Sequence, residues 1–256
     1  MSSTLQKSLR IIECLALSDE PRGISETARE LDLDKSAVQR VFQTLHATGY
    51  LEKVPGSTKY RLTLRLWELG APIIERHEVR RLIHPILRFG ANISGFTAFL
   101  TWADPPYVTY LDKVEGIHGR TYTAEPGRRV PIYRAASGKA ILAFLPDIDL
   151  TELLDPNAPD APENLPDPRN LEKELEEIRQ RLYAVSESGT VQGVNSVAAP
   201  IWQGDCAPVG SVLLTADASK MPAAKFDEFG QTVMSMAEEA TRALGGTPRG
   251  GVSLTR

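Results

Sequence analysis

A two-part α+β chain is predicted, and three observations predict it. Residues 1–62 hold three helical patterns followed by two short strand-like runs about a Pro-Gly turn. Residues 63–77 continue as an apolar helical stretch, which makes a connector. From residue 78 to 245 helical segments alternate with β-rich runs in adjacent pairs, the pattern of helices flanking an antiparallel sheet. The Gly-rich remainder, 246–256, reads as a disordered tail.

In the first part, "LQKSLRIIECLALS" places Leu5, Leu9, Ile12 and Leu15 on one helix face. "GISETARELDL" is a short second helix with Ser25 as its predicted N-cap. A tight turn at Leu33-Asp34 leads into "DKSAVQRVFQTLHATGYLEK", where Val38, Val41, Phe42 and Leu45 fall at the i, i+3, i+4, i+7 positions of an amphipathic helix. Asp34 as N-cap and Gly49 as C′ residue bound that helix at Lys35 and Thr48. At about 100° per residue, Ser36, Gln39, Arg40 and Gln43 gather within an arc of roughly 100° opposite the apolar stripe. Any solvated helix shows a polar face, but this one follows a helix and a tight turn, which is helix-turn-helix order. "YLEKV" and "KYRLTL" then flank "PGST" as a β-hairpin, so three helices and a hairpin make a winged helix-turn-helix. A segment the size of the third helix fits a major groove.

The connector and the second part follow. "LRLWELGAPIIERHEVRRLIHPILRFGANISG" is helical over 64–76 and 78–94, with interruptions expected at Gly70-Ala71-Pro72 and at Pro85. "FTAFLTWADPPYVTYLDKVEG" is a hairpin about Ala-Asp-Pro-Pro, and "GRTYTAEPGRRVPIY" adds a strand and a loop. "SGKAILAFLP" is a short helix stopped by Pro146, and the proline-dense "DPNAPDAPENLPDP" is a surface loop. "RNLEKELEEIRQRLYA" is a charged amphipathic helix, "VNSVAAPIW" and "PVGSVLLTA" are paired strands, and "AKFDEFGQTVMSMAEEATRAL" closes the domain as a helix.

Composition bounds the function. The 256 residues are 42% hydrophobic and 24% charged, enough for two domains and a connector. No apolar run approaches the ~18 residues of a membrane span and the start lacks a signal-peptide core, so a cytoplasmic protein with no membrane partner is expected. Cys14 and Cys206 lack C-x-x-C spacing, and His46, His77, His84 and His118 lack neighbours at metal spacing, so neither a disulfide nor a metal site is expected. His77 and His84, seven apart, are the pair placed to share a helix face. Residues 1–81 carry 13 Lys/Arg against 11 Asp/Glu, and residues 82–256 carry 16 against 22. The asymmetry has the sign a DNA-binding first part needs, yet binding must rest on a few placed cations and on dimer avidity, not on a broad field.

"AASGKA" invites a phosphate-loop reading, which needs a Gly five residues before Gly138 and Ser or Thr after Lys139; Tyr133 and Ala140 stand there instead. An acylating serine with a lysine base fails too, because Ser137 and Lys139 at i, i+2 face different sides of a helix. No catalytic residue, cofactor or metal is therefore assigned. A small-molecule enzyme with an accessory nucleic-acid-binding domain is the second class of function, and an architectural DNA-binding protein is disfavoured by the large non-basic second part.

The run "GISETARELDLDKSAVQRVFQTLHATGYLEK" followed by "KYRL" resembles the DNA-binding domain of IclR-family bacterial transcription regulators. "RRVPIYRAASGKAILAFL" at 128–145 and "GVNSVAAPIW" at 193–202 are similar to the two signature stretches of that family's effector domain, in the expected order. The resemblance covers nearly the whole chain. It implies a GAF-like effector-binding fold for residues 78–245 and an effector-responsive regulator of a catabolic operon, with repression favoured over activation. It also implies a homodimer or dimer of dimers on inverted half-sites of operator DNA. Gln39, Arg40 and Gln43 are the expected base readers, with Lys35 and Ser36 on phosphate and Lys59 of the hairpin also on the DNA face.

For the effector the resemblance implies backbone donors at Ala136 and Ser137, where a helix start also concentrates free N–H groups. Ser196 matches a pocket position that is polar or Cys in the family. Leu213 and Thr215 match inward strand positions, and alternation puts both on one side. Ser186 stands where acidic residues are frequent, Tyr133 where His is common, Arg134 and Ala135 where small and hydroxyl residues occur, and Leu182 where a helix-ending Gly is usual. With Tyr133 included in the pocket, these departures point to a small organic carboxylate with an apolar body, an aromatic ring among the candidates.

Overall fold

The computed structural model describes residues 3–118, 124–146, 148–156, 165–189, 191–204 and 207–248. Most of the proline-dense loop, Cys206 and the end of the predicted tail lie outside these residues. The chain divides into two compact units, Met1–Arg76 and His77–Arg256.

The first unit runs α1 (Ser3–Ala16), β1 (Arg22–Gly23), α2 (Ile24–Glu30), α3 (Lys35–Ala47), β2 (Leu51–Lys53), β3 (Lys59–Leu62) and α4 (Arg65–Glu75). Ile11, Leu15, Ala28, Val38, Val41, Phe42, Leu45 and Leu51 form its core, with the Tyr60 ring edge-on to Phe42 at 5.3 Å. The predicted apolar stripe of the third helix is thus the buried face of α3. Gly49 ends that helix at φ +82°, a backbone conformation that costs a side chain about 1 kcal/mol or more. The wing pairs β2 with β3 antiparallel, and β1 adds to the far side of β3, giving the order β1-β3-β2.

That third strand corrects one expectation. Arg22 and Gly23 pair with Tyr60 and Lys59, so the chain stays extended through Gly23, and Gly23 caps α2 in place of Ser25. The Glu26 carboxylate accepts from the Gly23 N–H at 2.9 Å, while Ser25 lies exposed inside the first turn. This bond is the leading cause that holds the Glu26 carboxyl below its usual range.

The second unit runs α5 (Glu78–Ser94), β4 (Thr97–Asp104), β5 (Tyr107–Val114), β6 (Arg129–Pro131), α6 (Ala136–Leu142), α7 (Leu150–Leu153), α8 (Pro168–Arg181), β7 (Ala184–Glu187), β8 (Val194–Trp202), β9 (Pro208–Asp217) and α9 (Phe226–Ala243). Its strands form one antiparallel sheet in the order β6-β5-β4-β9-β8-β7. On one face Phe99, Tyr110, Ala184, Ala198 and Leu213 join Ala140, Ile141 and Leu142 of α6 and Leu171, Leu175 and Ile178 of α8 in a single core. Alternate strand residues face the other way. There α5 is tied to β5 where Asp112, 2% exposed, meets Arg80 and His84, and α9 is tied to β8 where Thr241 Oγ1 accepts from the Trp202 N–H.

The expected breaks at Pro72 and Pro85 do not occur, for both prolines lie inside helices, α4 and α5. Each is exposed, so the carbonyl it leaves unpaired meets water, and in α5 buried Ile83, Ile86 and Leu87 hold the turns on either side. Leu182 ends α8 with φ +66°, doing as leucine what glycine ordinarily does. Among the described residues no helix is long and apolar enough to cross a membrane.

Candidate functional site

Two regions stand out. On the first unit, Lys35, Ser36, Gln39, Arg40, Gln43 and Thr44 form the exposed face of α3, opposite its buried stripe. The Thr44 hydroxyl is turned back onto its own helix, donating to the Arg40 carbonyl at 2.9 Å, which leaves Gln39, Arg40 and Gln43 as the outward polar groups of the central turns. Lys59, on the wing, has its ammonium 3.4 Å from a Glu26 carboxylate oxygen, so its charge is partly met within the unit. Arg61 of the wing is likewise paired across the hairpin with Glu52.

On the second unit, a cavity open to solvent lies over the sheet beside the start of α6. Phe99, Tyr110, Ala135, Ala136, Ser186, Val191, Val194, Ser196, Leu213 and Thr215 line it. Five of the residues expected there from sequence are brought together: Ala136, Ser186, Ser196, Leu213 and Thr215. The register explains the meeting, since Ser186 pairs with Ser196 and Ser196 with Thr215 in adjacent strands, while Leu213 pairs with Phe99.

Two expected residues sit elsewhere. Tyr133 is buried in the turn before α6, where burial pushes its phenol up, and it is not among the residues that line the cavity. Ser137 is fully buried in the first turn of α6 and is not among the residues that line the cavity. Conversely Phe99, Tyr110, Val191 and Val194 escaped sequence reasoning. The alternation along β4 and β5 announces inward positions, but only the pairing of β4 with β9 brings them to the residues of "SVLLTA".

Among the described residues no Asp, Glu, Lys, Arg or His lines the cavity, whose walls mix the apolar Phe99, Val191, Val194 and Leu213 with the hydroxyl-bearing Tyr110, Ser186, Ser196 and Thr215. Ser196 Oγ donates to Thr215 Oγ1 at 3.0 Å, and Thr215 donates on to the Asn195 carbonyl at 3.2 Å. Burial pushes the Tyr110 phenol up, against the smaller influences of Ser137 and Arg128, so it stands as a neutral hydroxyl. The remaining polar groups are the Ser186 hydroxyl and the backbone at Ala135 and Ala136, where the first N–H groups of a helix have no intrahelical acceptors. The histidines are engaged separately: His84 Nδ1 lies 2.7 Å from Asp112 Oδ2, and the His77 ring packs edge-on to Trp102 at 5.4 Å. Among the described residues no group of three or more His, Cys, Asp or Glu gathers at metal-binding distance.

Comparison with known proteins agrees with this division. Residues 4–55 match the family model "IclR helix-turn-helix domain", and residues 71–242 match "Bacterial transcriptional regulator IclR C-terminal". The chain is 25% identical over 244 residues to the HTH-type transcriptional regulator XynR of Escherichia coli K12, covering 94% of this chain and 97% of that one. It is 26% identical to the transcriptional repressor IclR of the same organism, over 95% of this chain and 90% of the relative. Among solved structures it is similar to the Thermotoga maritima IclR, with a TM-score of 0.68 and 30% identity over 96% of this chain and 100% of the other.

Proposed function

The chain belongs to the IclR family of bacterial transcription regulators, and from that premise we propose that it represses a catabolic operon until a small organic carboxylate with an apolar body fills the cavity of its second unit. The observation that carries this reading is the cavity itself. It offers aromatic and aliphatic side chains, the hydroxyls of Tyr110, Ser186, Ser196 and Thr215 and the start of α6, and among the described residues no charged side chain. A helix start favours a carboxylate through unsatisfied N–H groups and partial positive charge. The apolar walls favour a ring or short hydrocarbon for the remainder. A ligand hydroxyl buried against Phe99, Val194 or Leu213 would go unpaired at a cost of ~1–3 kcal/mol, so a sugar acid or a glyoxylate-like oxoacid should bind less well than a benzoate-like acid.

On the DNA side, α3 enters the major groove of each half-site, and the operator is an inverted repeat read by two copies of the chain, alone or as a dimer of dimers. Repression is preferred because a relative alike over nearly the whole chain carries that role in its name.

A mobility-shift titration against the DNA flanking its own gene, repeated with carboxylates beside their amides and esters, tests the whole reading. Release of a sequence-specific complex by benzoate-like acids alone is the expected result. Equal release by the uncharged analogues would overturn the anion site, and release only by polyhydroxylated acids would overturn the apolar one. Turnover of a small molecule with no sequence-specific shift would place the chain in the enzyme class instead.

A further inference from the structure

Lys139, in the "SGKA" run, has no place in the cavity, yet it is among the best-anchored cations of the second unit. Its ammonium lies 2.7 Å from both carboxylate oxygens of Glu174 on α8, with the two side chains only 17% and 32% exposed. The helix that carries it, α6, is two turns long, far short of the ~12–15 residues a helix needs to persist on its own, so outside contacts decide where its first turn points. Besides the burial of Ala140, Ile141 and Leu142 against the sheet, three close or polar contacts hold it. At Gly138 the backbone of Ile132 comes so close that a Cβ would collide with it. Lys139 reaches Glu174, and the carbonyl of Ala143, at the helix end, accepts from Arg179 Nε at 2.7 Å.

Two of the three run to α8, and α8 leads directly to the opposite wall of the cavity. After Leu182 the Tyr183 phenol donates to Asp227 of α9, its ring lies against Gly230, and the chain enters β7, which carries Ser186. We propose that Lys139 and Glu174 are positioning residues for the cavity: α8 is a brace whose ion pair sets the first turn of α6 at a fixed distance from β7. The wall at Ala135 and Ala136 is thereby held in place by a pair that no ligand touches. The role as an effector brace rests on the reading of the cavity given above.

Amide hydrogen exchange of the full chain, wild type against Glu174→Gln and against the charge-reversed Lys139→Glu/Glu174→Lys pair, tests the brace directly. Exchange over residues 136–142 should quicken about tenfold or more in Glu174→Gln, stay unchanged over α9, and return toward wild type in the reversed pair. Unaltered exchange in α6, or an equal acceleration in α9, overturns the proposal. Sodium benzoate as probe adds the functional readout, since its midpoint for stabilising the chain should rise several-fold in Glu174→Gln and recover in the reversed pair. A wild type that does not respond to benzoate would overturn the carboxylate reading and not the brace, which the exchange of α6 decides.

Discussion

Gln39, Arg40 and Gln43 project from α3 within little more than one turn, and the chemistry of their ends differs from that of Lys35 and Ser36 at the helix start. A carboxamide pairs bidentately with adenine and a guanidinium with guanine, each worth ~1–3 kcal/mol of discrimination, whereas an ammonium on phosphate reads no sequence. Gln43→Ala should therefore narrow the gap between operator and random DNA by roughly five- to a hundred-fold while leaving the salt dependence alone. Lys35→Ala should weaken both DNAs alike and lower the slope of log K against log salt by about one. Titrations at several salt concentrations separate the two, and wild-type behaviour from both would show that α3 is not the reading helix. A second residue-scale case is Leu182, held at φ +66°. The left-handed region costs an ordinary side chain ~1–2 kcal/mol and a β-branched one more. Leu182→Val should lose ~1–2 kcal/mol in urea unfolding, and Leu182→Gly should lose nothing or gain slightly; the opposite ranking would mean that packing of the leucine, not backbone conformation, governs the site.

At the scale of elements, what local sequence could show depended on whether neighbours in the chain decide the outcome. The stripe of α3, the extent of α5 and the span of α9 follow from apolar period alone, and the structure has them where the period puts them. Elements settled by distant partners were harder to see. β1 exists because Arg22 and Gly23 find β3, and β7 is four residues long and owes its place to β8. Pro72 and Pro85 mislead for the same reason, since a proline's cost depends on whether its orphaned carbonyl meets water, which local sequence does not display. The cavity divides likewise: Ser196 and Thr215 were legible from the resemblance, while Phe99 and Tyr110 needed the sheet order. Glycines show the same contrast in a testable form. A Cβ at Gly138 meets the backbone of Ile132, and one at Gly90 meets the flexible end of Met236. Gly138→Ala should thus displace α6 and cost ~1–3 kcal/mol or more, against under ~1 kcal/mol for Gly90→Ala, where helix propensity offsets repacking. Equal losses in thermal unfolding would mean that Ile132 yields as easily as a methionine side chain.

For the whole molecule the telling element is α4, an apolar helix none of whose residues is fully buried among the described residues. Leu66, Trp67, Leu69, Ile73 and Ile74 spread over an arc of about 160° at 100° per residue, with Arg65, Glu68 and Glu75 gathered on the other side. Trp67 and Ile73 are each 68% exposed and Leu64 74%. A helix so broadly apolar is stable in water only when something covers it. The charge distribution argues for a second copy of the chain as the cover. The first 81 residues are only slightly basic, so the proposed pairing of two α3 helices would supply affinity that the weak field of a single copy does not. Joining two reading heads makes the second contact intramolecular and multiplies affinity by ~10²–10⁴ without any new contact to DNA. Trp67→Ala should therefore act twice over. Sedimentation should show the dimer dissociating at concentrations at least about tenfold higher than in wild type, as for a large aromatic lost from an interface centre. Operator affinity should fall further than the dimer constant alone requires, toward that of a single head, while the midpoint for benzoate stabilisation of the second unit stays as it was. A variant that keeps both its oligomeric state and its operator affinity would leave the exposed face of α4 without this role, and would mean that two-headed reading is assembled through the second unit instead.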